Sequence, residues 1–284
     1  MSQQGGCVAR NHPCCSSYDE ASSGSRNKRM STLVWADIER DVVIVQGDDA
    51  GAFLHSQLAN DIASLAVGSS IHSLLLEPTG QVTALVRVTR HVDTVYTLDV
   101  DAGFGESLIT RLQRFVLRSK VAMRMSDWKV RAFRGPDAVA TVGTGVGRAV
   151  PYRGGEDAID VIAETSQLPV FGEETEVPHI DMFRVDAEWP RLGIDILVGD
   201  IPATTGVVQE AVSFSKGCYP GQELVERMES RGANAPVLVV ALPRDGVGVG
   251  FRVQKDGKDF GTVTSIGLTR ALARVARGFN SESE

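Results

Sequence analysis

An α+β fold built on antiparallel sheets is what this sequence predicts, and three observations predict it. Three strand-like runs, 71–76, 82–89 and 95–100, follow one another with only tight turns at Pro78-Thr79-Gly80 and near Asp93 between them, the pattern of an antiparallel meander. Helical and strand periodicities alternate without the long βαβ units of a doubly wound sheet. After Pro236 the chain changes to short apolar runs separated by Asp245-Gly246 and Asp256-Gly257, a strand-only ending.

Residues 1–30 are rich in Ser, Gly, Asn and Gln and lack apolar periodicity, so a disordered tail is expected there. Met30 opens a more ordinary sequence. Val42–Val45 is a buried-type strand, and Asp48 or Asp49 should cap a helix whose apolar face is Ala52, Phe53, Leu54 and Leu58. The meander follows. Residues 103–118 have the strongest helical amphipathicity, through Leu108, Leu112, Phe115 and Val116. Strands are expected at 121–125 and 129–133. The glycine-rich stretch 134–176 predicts a helix after Pro136 and a strand near 158–163. A helix from Pro178 carries Ile180, Phe183 and Ala187 on one face. Strands 237–242, 250–253, 261–266 and 272–275 suit a short barrel-like segment.

With 284 residues the chain can bury a full core without covalent staples. Its net charge of −7 excludes a chain-wide basic field for nucleic acid, so no direct nucleic-acid partner is expected. Arg111, Arg114, Arg118 and Lys120 follow helical spacing and read as a solvated helix face. Of four cysteines, Cys7, Cys14 and Cys15 crowd the first fifteen residues and Cys218 stands alone, which is no disulfide framework. With His12 the first three fit no standard zinc spacing, and no permanently bound metal is expected. No apolar run approaches the ~20 residues of a membrane span, and the N-terminus lacks a signal-peptide core. A cytoplasmic setting without membrane contact is the expectation.

The chemistry-bearing stretch is Lys216-Gly217-Cys218-Tyr219-Pro220-Gly221-Gln222-Glu223. A cation two residues before the thiol and a helix start just after it both favour thiolate. The glycines let the backbone turn tightly and approach a ligand. One thiol cannot hold a cluster or a zinc ion, which need about four ligands, so Cys218 reads as a reactive or transiently ligating group. The alternative is an inert, packed cysteine. A cysteine hydrolase dyad with His179 or His55 has no support from spacing, and Gly143-Thr144-Gly145-Val146-Gly147 lacks the lysine of a nucleotide loop.

The octapeptide resembles the signature of the YgfZ family of folate-binding proteins, relatives of the glycine-cleavage T-protein, an aminomethyltransferase. Arg227 and Arg231-Gly232-Ala233 resemble the same family. So do Gly47-Asp48-Asp49-Ala50, with Phe53-Leu54-His55-Ser56-Gln57-Leu58 and Asn60-Asp61, and Arg114–Val121. The resemblance spans roughly residues 38 to 276. It implies a T-protein-like folate-binding region over 31–235, in two sub-lobes of about 31–126 and 127–235, and an abridged C-terminal barrel over 236–284.

It also implies tetrahydrofolate as cofactor, iron–sulfur client or assembly proteins as partners, and a role in [4Fe–4S] cluster assembly, insertion or repair that reaches tRNA modification indirectly. A monomer is expected. Asp186 stands where the T-protein's pterin-binding glutamate would be. Trp189 is the nearby aromatic, and family tryptophans map onto Arg40 and Ile180. Cys218 would be the working thiol and Lys216 its charge partner. Tyr219, Gln222, Glu223 and Asn60 would line the folate cavity, and Arg227 and Arg231 would hold folate carboxylates. The T-protein's acidic pair is replaced here by Thr83 and Ala84, which removes the carboxylate that aminomethyl transfer uses. A folate-dependent one-carbon transferase remains the rival reading.

Overall fold

The computed structural model describes residues 32–149, 151–153, 155–231 and 235–279. The tail with Cys7, His12, Cys14 and Cys15 lies outside them. The elements are β1 (Val34–Ile38), β2 (Arg40–Gln46), α1 (Ala50–Gln57), β3 (Ser70–Leu76), β4 (Val82–Val92), β5 (Val95–Asp101), α2 (Gly105–Gln113), β6 (Ala122–Ser126), β7 (Lys129–Arg134) and α3 (Ala138–Val142). They continue with β8 (Arg148–Ala149), β9 (Ala158–Ala163), β10 (Glu173–Glu174), α4 (Val177–Asp186), α5 (Val208–Ala211), α6 (Gln222–Arg231), β11 (Val237–Pro243), β12 (Arg252–Lys255), β13 (Lys258–Ile266) and β14 (Arg270–Ala276).

Three sheets result, and the α+β class holds. The first, in the order β3-β4-β5-β2-β6, is antiparallel throughout and contains the expected meander. Leu98 faces Val88 on one neighbour and Val43 on the other, so the β-branched runs build one apolar surface. That surface, with α1 and α2, holds the largest core: Val43, Leu54, Leu74, Leu98 and Leu112 are fully buried, each contributing roughly 1.5–3 kcal/mol. The second sheet, β10-β1-β7-β9-β8, has its own core around Trp35, Phe133 and Ile159.

The third sheet, β11-β14-β13-β12, packs Val253, Val263, Ala273 and Val275. It is open: no pairing of β11 with β12 joins its edges among the described residues. Four short strands are too few to close, since even a small barrel uses about five. The barrel-like expectation is therefore corrected to a single antiparallel sheet.

Two helix boundaries differ from expectation for local reasons. Asp49 precedes α1 but makes no cap bond within it; its Oδ2 accepts from the Lys120 amide at 2.7 Å instead, tying α1 to the start of β6. The helix expected over 103–118 is only Gly105–Gln113. Its start is held by Asp41 of β2, whose Oδ2 accepts from the Gly103 and Gly105 amides at 2.9 and 2.7 Å. Beyond Gln113 the chain closes in tight turns, with Phe115 under the Arg111 guanidinium at 4.5 Å and Leu117 exposed. No helix among the described residues is long and apolar enough to cross a membrane.

Candidate functional site: a charged cleft and a clamped thiol loop

The thiol loop is built from two anchors. Gly221 has φ +84°, and a Cβ there would lie 2.7 Å from the Glu77 carbonyl oxygen, 2.9 Å from Gly80 Cα and 2.9 Å from Leu76 Cβ. Only glycine lets α6 begin this close to the β3–β4 turn. At the other end, Lys216 Nζ donates to the carbonyls of Leu58 (2.6 Å), Asn60 (3.3 Å) and His55. These are unpaired carbonyls at the C-terminal end of α1, where a cation is favoured. Burial brings the Lys216 ammonium down to about 8, with Asp61 opposing. Between the anchors Cys218 is a free, exposed thiol.

Lys216 is thus committed to the carbonyls at the end of α1, and among the described residues no hydrogen bond joins it to the Cys218 thiol. Tyr219 is buried in the largest core cluster, its ring 5.1 Å from Lys216 Nζ, and burial followed by Glu226 pushes its hydroxyl up to about 12. Gln222 donates along α6 to Glu226 at 2.6 Å. Glu223 and Arg227 are exposed on the same helix. The side chain of Arg231 lies outside the described residues.

A second feature is a cleft with a cavity volume of about 80 Å³, open to solvent, between the first two sheets and α4. Its walls carry five arginines, Arg40, Arg87, Arg134, Arg184 and Arg191, against Glu39, Asp101, Asp160 and Asp181. Most are locked into a buried chain. Arg40 pairs with Asp101 at 3.0 Å and with Asp99. Arg87 spans Asp99 (2.8 Å) and Asp160 (2.6 Å), crossing from the first sheet to the second. Arg134 meets Asp160 at 2.7 Å and donates to the Tyr152 hydroxyl at 2.8 Å. Burial alone would raise Asp99 and Asp160, but the neighbouring guanidiniums overcome it and hold both below the ordinary carboxylate range.

One cation in the cleft is held only by long ion pairs. Arg191 stands 3.9 Å from Asp101 and 4.0 Å from Asp181, and its guanidinium makes no hydrogen bond among the described residues. Beside it, Trp189 and His72 present rings 4.5 Å apart at 53°. Burial, then the nearby Arg87, lowers His72 to about 3, so the imidazole is neutral. Cleft floor and guanidinium fork together offer an aromatic surface, neutral ring nitrogens and one cationic clamp.

Neither Cys218 nor Asp186, expected to share a cavity, lines this cleft. The Asp186 carboxylate accepts instead from the amides of Leu268 (3.1 Å), Thr269 (2.9 Å) and Arg270 (3.0 Å), fastening α4 to the β13–β14 turn. A turn with three convergent N–H groups is a better partner for a short carboxylate than open solvent. Of the other expected residues Trp189 does line the cleft, as do Arg40 and Ile180. Asn60 stands between the two features: its Nδ2 donates to the carbonyl of His72 at 2.8 Å, and its own carbonyl accepts from Lys216. Ala84 is buried in the core and Thr83 donates to Glu77 at 3.2 Å, so neither brings a carboxylate to the cleft.

No family model matches the chain. Similar sequences are informative. A tRNA-modifying protein YgfZ from Photobacterium profundum is 23% identical over 222 residues, 70% of this chain and 66% of that protein. An iron–sulfur cluster assembly factor IBA57 homologue, mitochondrial, from Mycosarcoma maydis is 23% identical over 240 residues, 78% of this chain but 60% of its own length. The crystal structure of the glycine cleavage system aminomethyltransferase T from Bartonella henselae superposes with a TM-score of 0.70 at 19% identity, covering 88% of this chain and 79% of that one. The chain is therefore similar in sequence to YgfZ and IBA57 proteins and shares the fold of the T-protein. The cleft between the two larger sheets is where the chain's own charged and aromatic residues converge.

Proposed function

We propose that this protein is a folate-binding accessory factor in the assembly, insertion or repair of [4Fe–4S] clusters, with effects on tRNA modification that pass through client enzymes. The names of the YgfZ and IBA57 relatives support this reading, one a tRNA-modifying protein and the other an iron–sulfur cluster assembly factor. The observation that carries it is the exposure of Cys218 on a loop clamped at both ends by Lys216 and Gly221. A thiol presented this way, as thiolate, makes one bond to an iron, a sulfur species or a client and releases it, whereas a resident cluster needs about four such ligands. The cluster is cargo.

Tetrahydrofolate fits the chemistry of the cleft. Trp189 and His72 would face the flat pteridine, and Arg191 would hold a carboxylate of the glutamyl tail. When bound, the cofactor supplies a reduced, easily oxidised ring. Arg191 orients the tail, His72 stays neutral, and the Arg87–Asp160 bridge fixes the spacing of the two sheets around the ligand. The test uses cells lacking the protein: wild type should restore the activity of [4Fe–4S] enzymes, and Cys218→Ser should not, although it folds with an unchanged urea midpoint. Full restoration by Cys218→Ser would remove the thiol from the mechanism.

A further inference from the structure

A second hollow lies on the far side of the cleft wall. The chain at 151–153 forms part of that wall: Tyr152 faces the cleft, while Arg153 lines the second hollow. This hollow has a cavity volume of about 360 Å³, within the range of small-molecule pockets. Its apolar surface comes from Pro202, Val208, Val225 and Met228, the last two on α6 directly after the thiol loop.

Its polar groups are unbalanced. Arg153 makes three hydrogen bonds: Nε donates to Glu210 Oε1 at 2.6 Å, and the two terminal nitrogens donate to the carbonyls of Glu188 (3.3 Å) and Gly206 (3.1 Å). The other carboxylate oxygen of Glu210, Oε2, is shielded from solvent and has no hydrogen-bond partner among the described residues. An acceptor left in that condition calls for a donor. Glu229 adds a further carboxylate, so the lining carries two anions against one cation. An apolar surface beside a net negative charge and an unsatisfied acceptor is complementary to a cation with an apolar stem.

We propose that this hollow binds a small amphipathic ammonium, its stem against Val225 and Met228 and its N–H groups on the Glu210 carboxylate. Asn60 ties the site to the central cleft, donating at 2.8 Å both to the Glu210 carbonyl and to the carbonyl of His72. The two sites are therefore back to back, with Asn60 and the 151–153 segment between them.

The probe is phenethylammonium, titrated calorimetrically into the full-length protein, with 2-phenylethanol as its neutral counterpart. Saturable one-to-one binding is expected, at least about tenfold tighter than the alcohol, because a charge-assisted hydrogen bond is replaced by a neutral one. Glu210→Gln should erase that preference. Met228→Trp, which fills the hollow from a half-buried position on α6, should abolish binding of both compounds while leaving the circular dichroism spectrum unchanged. Trp189→Ala should leave phenethylammonium binding unaltered, because Trp189 belongs to the cleft. The proposal is overturned by the absence of saturable heat with wild type, by equal affinity for the alcohol, by binding that survives in Met228→Trp, or by binding lost in Trp189→Ala.

Discussion

Replacing Gly221 with alanine separates a structural clamp from a merely flexible loop. The residue has φ +84°, where a side chain costs about 1–2 kcal/mol through contact of its Cβ with the following carbonyl. The new methyl would also sit within 3.0 Å of Glu77 O, Gly80 Cα and Leu76 Cβ. Two of those atoms are backbone and the third belongs to a fully buried leucine, so none yields cheaply; overpacking of this kind costs about 1–3 kcal/mol. Together the expected loss is about 2–5 kcal/mol. Gly217→Ala is the internal control. A Cβ there meets nothing within 4 Å and its φ is not left-handed, so the change should stay within about 0.5 kcal/mol. Urea unfolding followed by circular dichroism measures both, and the rate of Cys218 modification by a thiol reagent reports loop order. Equal stability of Gly221→Ala and wild type, or an equal loss in Gly217→Ala, refutes the clamp.

Two further outcomes follow from the ion networks. Arg87→Ala leaves Asp99 and Asp160 buried without their shared cation and should cost about 3–5 kcal/mol in urea unfolding. Because both carboxylates are held below their ordinary value of 3.8, their contribution is present above that pH and disappears as pH falls through the lowered values; the wild-type acid-unfolding curve should therefore drop below about pH 4, and Arg87→Ala should flatten that drop. Asp186→Ala removes the acceptor of three amides on the β13–β14 turn and should cost about 1–3 kcal/mol while tetrahydrofolate affinity stays at the wild-type value.

The strands were legible because their apolar runs are β-branched and their turns carry glycine: the meander from Ile71 to Val100 and the switch after Pro236 both follow from period and punctuation. The early end of α2 was not legible, since Phe115 and Val116 continue the helical spacing although the helix has already ended at Gln113. Around the site, the thiol's prominence could be read from Lys216 to Gly221, but not the direction of the Lys216 side chain, because α1 is about 160 positions away and its free carbonyls exist only once the chain has folded. The partners of Asp186 were hidden for the same reason: they are on the last hairpin.

The buried ion chain did leave a signal that the expected site did not use. Arg87, Asp99 and Asp160 each stand between two apolar neighbours within a strand, a position that is costly unless a partner lies opposite. Reading those three residues as one set would have pointed to the cleft.

The cleft and the thiol loop are joined through Asn60, and the thiol does not line the cleft. Calorimetric titration of tetrahydrofolate into wild type, Trp189→Ala and Cys218→Ser tests this most directly. Wild type and Cys218→Ser should bind with the same affinity, and Trp189→Ala should lose roughly tenfold or more through the missing stacking surface, a contact of about 1–3 kcal/mol per base-like ring. Folate binding that weakens in Cys218→Ser and persists in Trp189→Ala would contradict it.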